Sequence, residues 1–125
     1  METKERTRRE APSLMEREGL DPGAEAREAA RDYLGLALRD AGNPLRHRLA
    51  DRREEDVELL AQMFHGLALC AGSMAAQPPL DASRVERAVR ELAESEPWLR
   101  QAGADFVDEL AMAGPSKARL LGLLG

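Results

Sequence analysis

Isoleucine is missing from these 125 residues, valine occurs four times and threonine twice. Pleated, half-buried strands favour β-branched side chains, so this chain has little material for a sheet. Aromatic residues number four, Tyr33, Phe64, Trp98 and Phe106. A core must then come mostly from Leu, Ala, Val and Met, with few rings for stacking nucleic-acid bases. One cysteine, Cys70, excludes an intrachain disulfide and suits a reducing compartment. Positive charge is also in deficit, with 18 Lys and Arg against 23 Asp and Glu and a net charge of −5. General affinity for nucleic acid rests on an excess of cations, so nucleic acid is not the expected partner. Residues 1–10 are highly charged and lack the apolar stretch of a secretory signal. Residues 59–76 come nearest to a membrane span but are short and interrupted by Gln62 and His65, so no membrane contact is expected. The expected location is cytoplasmic.

What the chain has in quantity is Ala, Leu, Arg and Glu, which favour helix. Val57, Leu60, Phe64, Leu67, Ala71 and Met74 recur at alternating steps of three and four, which predicts a long helix over residues 51–74. A second row, Leu59, Met63, Gly66 and Cys70, runs beside the first. A helix apolar on most of its circumference must be covered on several sides, so this one is expected at the centre of a bundle.

The flanking segments supply the cover. Asp21 as N-cap and Pro22 at the first helical position predict a helix with Ala26, Ala30, Tyr33, Leu34, Ala37 and Ala41 on one face, closed at Gly42. Asn43 and Pro44 open a short basic turn through Arg46, His47 and Arg48. Asp51 and Glu54 then form the capping box of the central helix, with Glu55, Asp56 and Glu58 near its positive end. Gly72 and the Pro78, Pro79 pair end it. Asp81 caps the next helix, with Val85, Ala88, Val89 and Leu92 inward, and Ser95 with Pro97 starts another that carries Trp98, Leu99, Ala102, Phe106, Val107 and Leu110. Gly114 and Pro115 break that helix and set off a leucine-dense tail, residues 116–125. The predicted fold is all-α, a single small bundle of four main helices and a short C-terminal one. A flexible charged arm is assigned to residues 1–12 and the bundle domain to 13–125.

Catalytic chemistry has little foothold in this pattern. Di-metal bundles use Glu-x-x-His pairs, whereas Gln62 stands three residues before His65 and Pro44 three before His47. Ser73 lacks the Gly-x-Ser-x-Gly elbow, no glycine-rich phosphate loop occurs, and Cys70 lies on an apolar stripe. The expectation is a non-enzyme with no metal and no cofactor.

Two motifs support alternative functions. Residues 65–72 resemble the phosphotransfer helix of histidine phosphotransfer domains, with Leu67 and Gly72 at the apolar and small positions that follow the His. The family's Lys and Gly are replaced by Ala68 and Leu69. The resemblance implies a phosphate-accepting His65. Residues 74–92 read as a helix-turn-helix whose second part is similar to the recognition helix of winged-helix repressors, with Arg84, Arg87 and Arg90 as candidate DNA contacts.

The leading reading is a protein-protein interaction module, a small adaptor, regulator or assembly factor. The chain supplies more apolar helix surface than a small monomer readily hides, and such surface marks binding sites. A protein partner or a second copy is implied, with a homodimer as the expected state. The candidate partner-binding residues are Tyr33 and Phe64 on the helix faces and Leu120, Leu121 and Leu124 in the tail.

Overall fold

The structure, a computed structural model, describes residues 19–20, 22–39 and 45–125, and of 45–53 the backbone alone. Five helices make up the described chain: α1 (Ala24–Arg39), α2 (Leu45–Ala75), α3 (Ser83–Ser95), α4 (Leu99–Asp108) and α5 (Gly114–Leu123). No strand occurs among the described residues. The all-α bundle with a short C-terminal helix is thus present. The assigned arm, residues 1–12, lies outside the described residues.

α2 touches each of the other four helices, which is why it carries apolar residues on so many sides. Leu60, Ala61, Met63, Phe64, Leu67 and Cys70 are buried along it. By length and composition Glu54–Ala75 could cross a membrane, but half of its most apolar stretch is buried within the bundle. Against α2 lie Ala30, Leu34 and Ala37 of α1, spaced by four and three on one helical face. The ion pairs Arg27–Glu58 and Arg31–Glu54 step in opposite senses along the two helices, so α1 and α2 run antiparallel.

The central helix begins earlier than its sequence signals suggest. Asp51 is not a cap: α2 runs unbroken from Leu45 through what was expected to be a separate basic turn. Residues 45–50 contain no glycine or proline and mostly strong helix formers, so nothing stops the helix from extending upstream. Its first turn therefore contains no acidic residue. Glu54 and Glu58 meet arginines of α1 instead, and Asp56 is buried. Gly72 does not end the helix either, because α2 continues to Ala75.

Pro22 and Gly23 precede α1 rather than opening it, and Asp21 and residues 40–44 lie outside the described residues. The Gln77-Pro78 peptide is cis, in the connection to α3. Asp81 serves α3 from just outside it, its Oδ1 accepting hydrogen bonds from the Ser83 backbone N–H and hydroxyl. The Ser83 hydroxyl first, and its backbone N–H second, hold the Asp81 carboxyl below its ordinary range.

The C-terminal segment differs most from its expected role. It is an ordered helix with Pro115 in its first turn, packed on α2, α3 and α4. Leu120, Leu123 and Leu124 are in the core and only Leu121 of the three tail candidates is exposed. Leu120 and Leu124 are therefore already covered by this chain. The leucines of a helix with neighbours on several sides need not share one face, and that crowding was what made the tail read as an appendage.

Candidate functional site: an aromatic groove with an acidic edge

The two helix-face candidates come together. The Tyr33 and Phe64 rings meet edge to face at 5.9 Å between centroids, and Phe64 stacks on Phe106 at 4.7 Å and 13°. Antiparallel packing of α1 on α2 brings the first pair into contact, and α4 adds the third ring. Such pairs contribute roughly 0.5 to 1.5 kcal/mol each beyond the area they bury. Phe64 is buried, while Tyr33 and Phe106 are half-buried.

Along these rings runs a groove of about 520 Å³, lined also by Ala29, Leu36, Asp105, Asp108 and Glu109. Leu36 is 62% exposed. A single exposed leucine is ordinary on a protein surface, but this one adjoins two half-open rings and so extends an apolar patch. Among the lining residues every charge is negative.

The acidic edge is fixed at one end and open at the other. Tyr33 donates its hydroxyl hydrogen to Asp105 Oδ2 at 3.0 Å, and Gln101 Nε2 donates to Asp105 Oδ1 at 2.9 Å. Burial, then the hydrogen bond and the nearby charge of Asp105, pushes the Tyr33 hydroxyl up to about 12. It stays a proton donor at neutral pH. Asp108 and Glu109 form no ion pair with any described residue, and Lys117 reaches the Asp108 backbone carbonyl rather than its carboxylate.

Asp105, Asp108 and Glu109 fall three and four residues apart, a spacing that puts them on one face of a helix. That spacing was readable in the sequence, but nothing there placed Phe106 or Leu36 beside them. Phe106 carried only a core signal, and Leu36 lay off the alanine row of α1.

The remaining candidates lie elsewhere. His65 is half-buried on α2, with Ala68, Leu69 and Gly72 exposed along the same face. Arg84, Arg87 and Arg90 are all exposed on α3. Glu91 and Glu94 stand four residues after Arg87 and Arg90, yet neither pair forms an ion pair, and Glu86 pairs with Arg119 at 3.0 Å. Long exposed side chains lose more rotamer entropy than an i,i+4 pair returns. Cys70 is fully buried, and burial, aided by Glu86 and opposed by Arg119, pushes its thiol up to about 12. A thiol held protonated is a poor nucleophile. No cluster of three metal-ligating side chains occurs among the described residues.

Gln62, which interrupts the apolar stretch of α2 in sequence, is nonetheless in the core: it is 2% exposed and its Oε1 accepts no hydrogen bond. Comparison with family models, curated proteins and solved structures finds no match to this chain.

Proposed function

We propose that this protein is a non-enzymatic protein-binding module, a small cytoplasmic adaptor, regulator or assembly factor that works as a homodimer and needs no cofactor. The groove between α1, α2 and α4 is the docking site. The observation that carries this reading is the pairing of half-open Tyr33 and Phe106 rings with an exposed Leu36 in one concavity. A partner's apolar side chain entering there would leave water for a surface already rigid, since the rings are held by stacking and by the Tyr33 to Asp105 hydrogen bond. Rigid aromatic anchors lose little entropy on binding, which is why they dominate interface energetics.

The test is photo-crosslinking in intact cells from a benzoylphenylalanine placed at position 36, with exposed Glu28 of the same helix as the control position. One dominant adduct from position 36, absent from position 28, is expected, and its mass less 13.7 kDa gives the partner's mass. Equal or no adducts at the two positions would remove the groove as a docking site.

A further inference from the structure

The groove combines open ring surface with negative charge that forms no ion pair inside the bundle. Phe106 stacks one face on Phe64, so in this half-buried residue the other face is what lines the groove. Tyr33 meets Phe64 edge to face and is half-buried beside it. Both oxygens of Asp105 already accept hydrogen bonds, from Tyr33 and from Gln101. Asp108 and Glu109 differ: both are exposed, both line the groove, and neither forms an ion pair among the described residues. Lys117, which reaches α4 at Asp108, donates to the backbone carbonyl. Glu109 follows Phe106 by three residues, so a group lying over the ring is within reach of its carboxylate.

That combination discriminates among the groups a partner could insert. A purely aliphatic side chain would strip water from the carboxylates and give them no donor. A lysine ammonium is a compact, strongly hydrated point charge that cannot lie flat on a ring. A guanidinium is planar and more weakly hydrated, so it stacks on a ring face while the N–H groups at its edge reach carboxylates. We propose that the groove binds an arginine side chain of its protein partner, with the guanidinium over Phe106 and its N–H groups on Asp108 and Glu109. Leu36, 62% exposed in the same groove, takes an apolar neighbour of that arginine. This rests on the reading of the groove as a docking site and names the chemistry that docks there.

The experiment titrates the full chain with a capped leucine-arginine-leucine peptide and with the same peptide carrying citrulline or lysine in the middle, read by NMR on the Tyr33 and Phe106 ring protons. Citrulline keeps the plane and length of arginine and removes its charge. The arginine peptide is expected to shift both ring signals to saturation, with the citrulline peptide roughly tenfold weaker or more and the lysine peptide between them. Asp108→Asn with Glu109→Gln changes two exposed positions, so folding is retained, which circular dichroism checks. That variant is expected to bind the arginine peptide only as well as wild type binds the citrulline one, and to bind the citrulline peptide unchanged. A citrulline or lysine peptide that matches arginine, an arginine affinity that survives the double substitution, or rings that respond to no peptide overturns the proposal. The photo-adduct at position 36 decides separately on the groove. If it forms alongside any of those results, the groove reading stands and the arginine falls; if it is absent and no ring responds, both fall.

Discussion

The two sides of α4 face different surroundings. At Gly103 the helix is sealed: a Cβ built there would lie 3.0 and 3.1 Å from the Leu124 methyls and 3.4 Å from that of Leu67. Three residues on, Phe106 is half-open to a groove, and Asp105, Asp108 and Glu109 are exposed beside it. Close packing on one side ties α2, α4 and α5 together. On the open side the Tyr33 and Phe106 rings are only half-covered and Leu36 is exposed. Within one ten-residue helix, the side that carries Ala102, Gly103 and Val107 is sealed into the core while the side that carries Asp105 and Asp108 stays in water.

Substitutions on the sealed side should have the largest effects on folding. Leu120→Ala empties a fully buried position of α5 and is expected to cost about 2 to 5 kcal/mol, read from urea unfolding. Gly103→Val would force its methyls into Leu124 and Leu67, for a loss of roughly 1 to 3 kcal/mol. Gln62→Met should act in the opposite sense, stabilising by roughly 1 kcal/mol, because it replaces a buried Oε1 that accepts no hydrogen bond with an apolar chain of similar shape. Unchanged or lower stability in that variant would mean the amide is satisfied in solution.

Alkaline pH probes the link between the two sides. The Tyr33 hydroxyl moves from its ordinary 10.0 up to about 12 and the Cys70 thiol from 9.0 up to about 12. The folded state therefore holds both protons more tightly than the unfolded chain. Their contribution is intact below pH 9 and is lost as pH rises through the folded values. Melting temperature is expected to fall between about pH 9 and 12, and less steeply in Tyr33→Phe and in Cys70→Ala. If both variants lose stability over that range as steeply as wild type, the Tyr33 to Asp105 bond and the burial of Cys70 are not maintained.

Much of the fold was legible because α2 announces itself. The rows through Leu60, Phe64 and Leu67 and through Met63 and Cys70 require cover on several sides, and four helices provide it. Helix boundaries were less legible. Asp51 and Glu54 spell a cap, but a cap needs a chain that leaves the helix, and the residues before Asp51 continue it. Gln62 is buried although polar, because one polar side chain does not set the burial of a helix with neighbours all round. Half of the groove could be read from Tyr33 and Phe64, since both lay on predicted faces. Phe106 and the acidic trio could not, because their meaning depends on which face of α4 the Gly103 contacts leave outward. The tail leucines misled for the same reason: density of leucine signals apolar surface without saying whether the same chain covers it.

If the groove docks a second copy through its exposed edge, Leu36→Ser should separate binding from folding, because Leu36, unlike Phe64, lies outside the core. Leu36 is exposed, so the Leu36→Ser chain is expected to melt cooperatively, with its midpoint lowered only by the loss of dimer linkage, and to fall in solution mass from twice 13.7 kDa toward a single chain. A Leu36→Ser protein that keeps the wild-type mass, or loses cooperative melting, would contradict it.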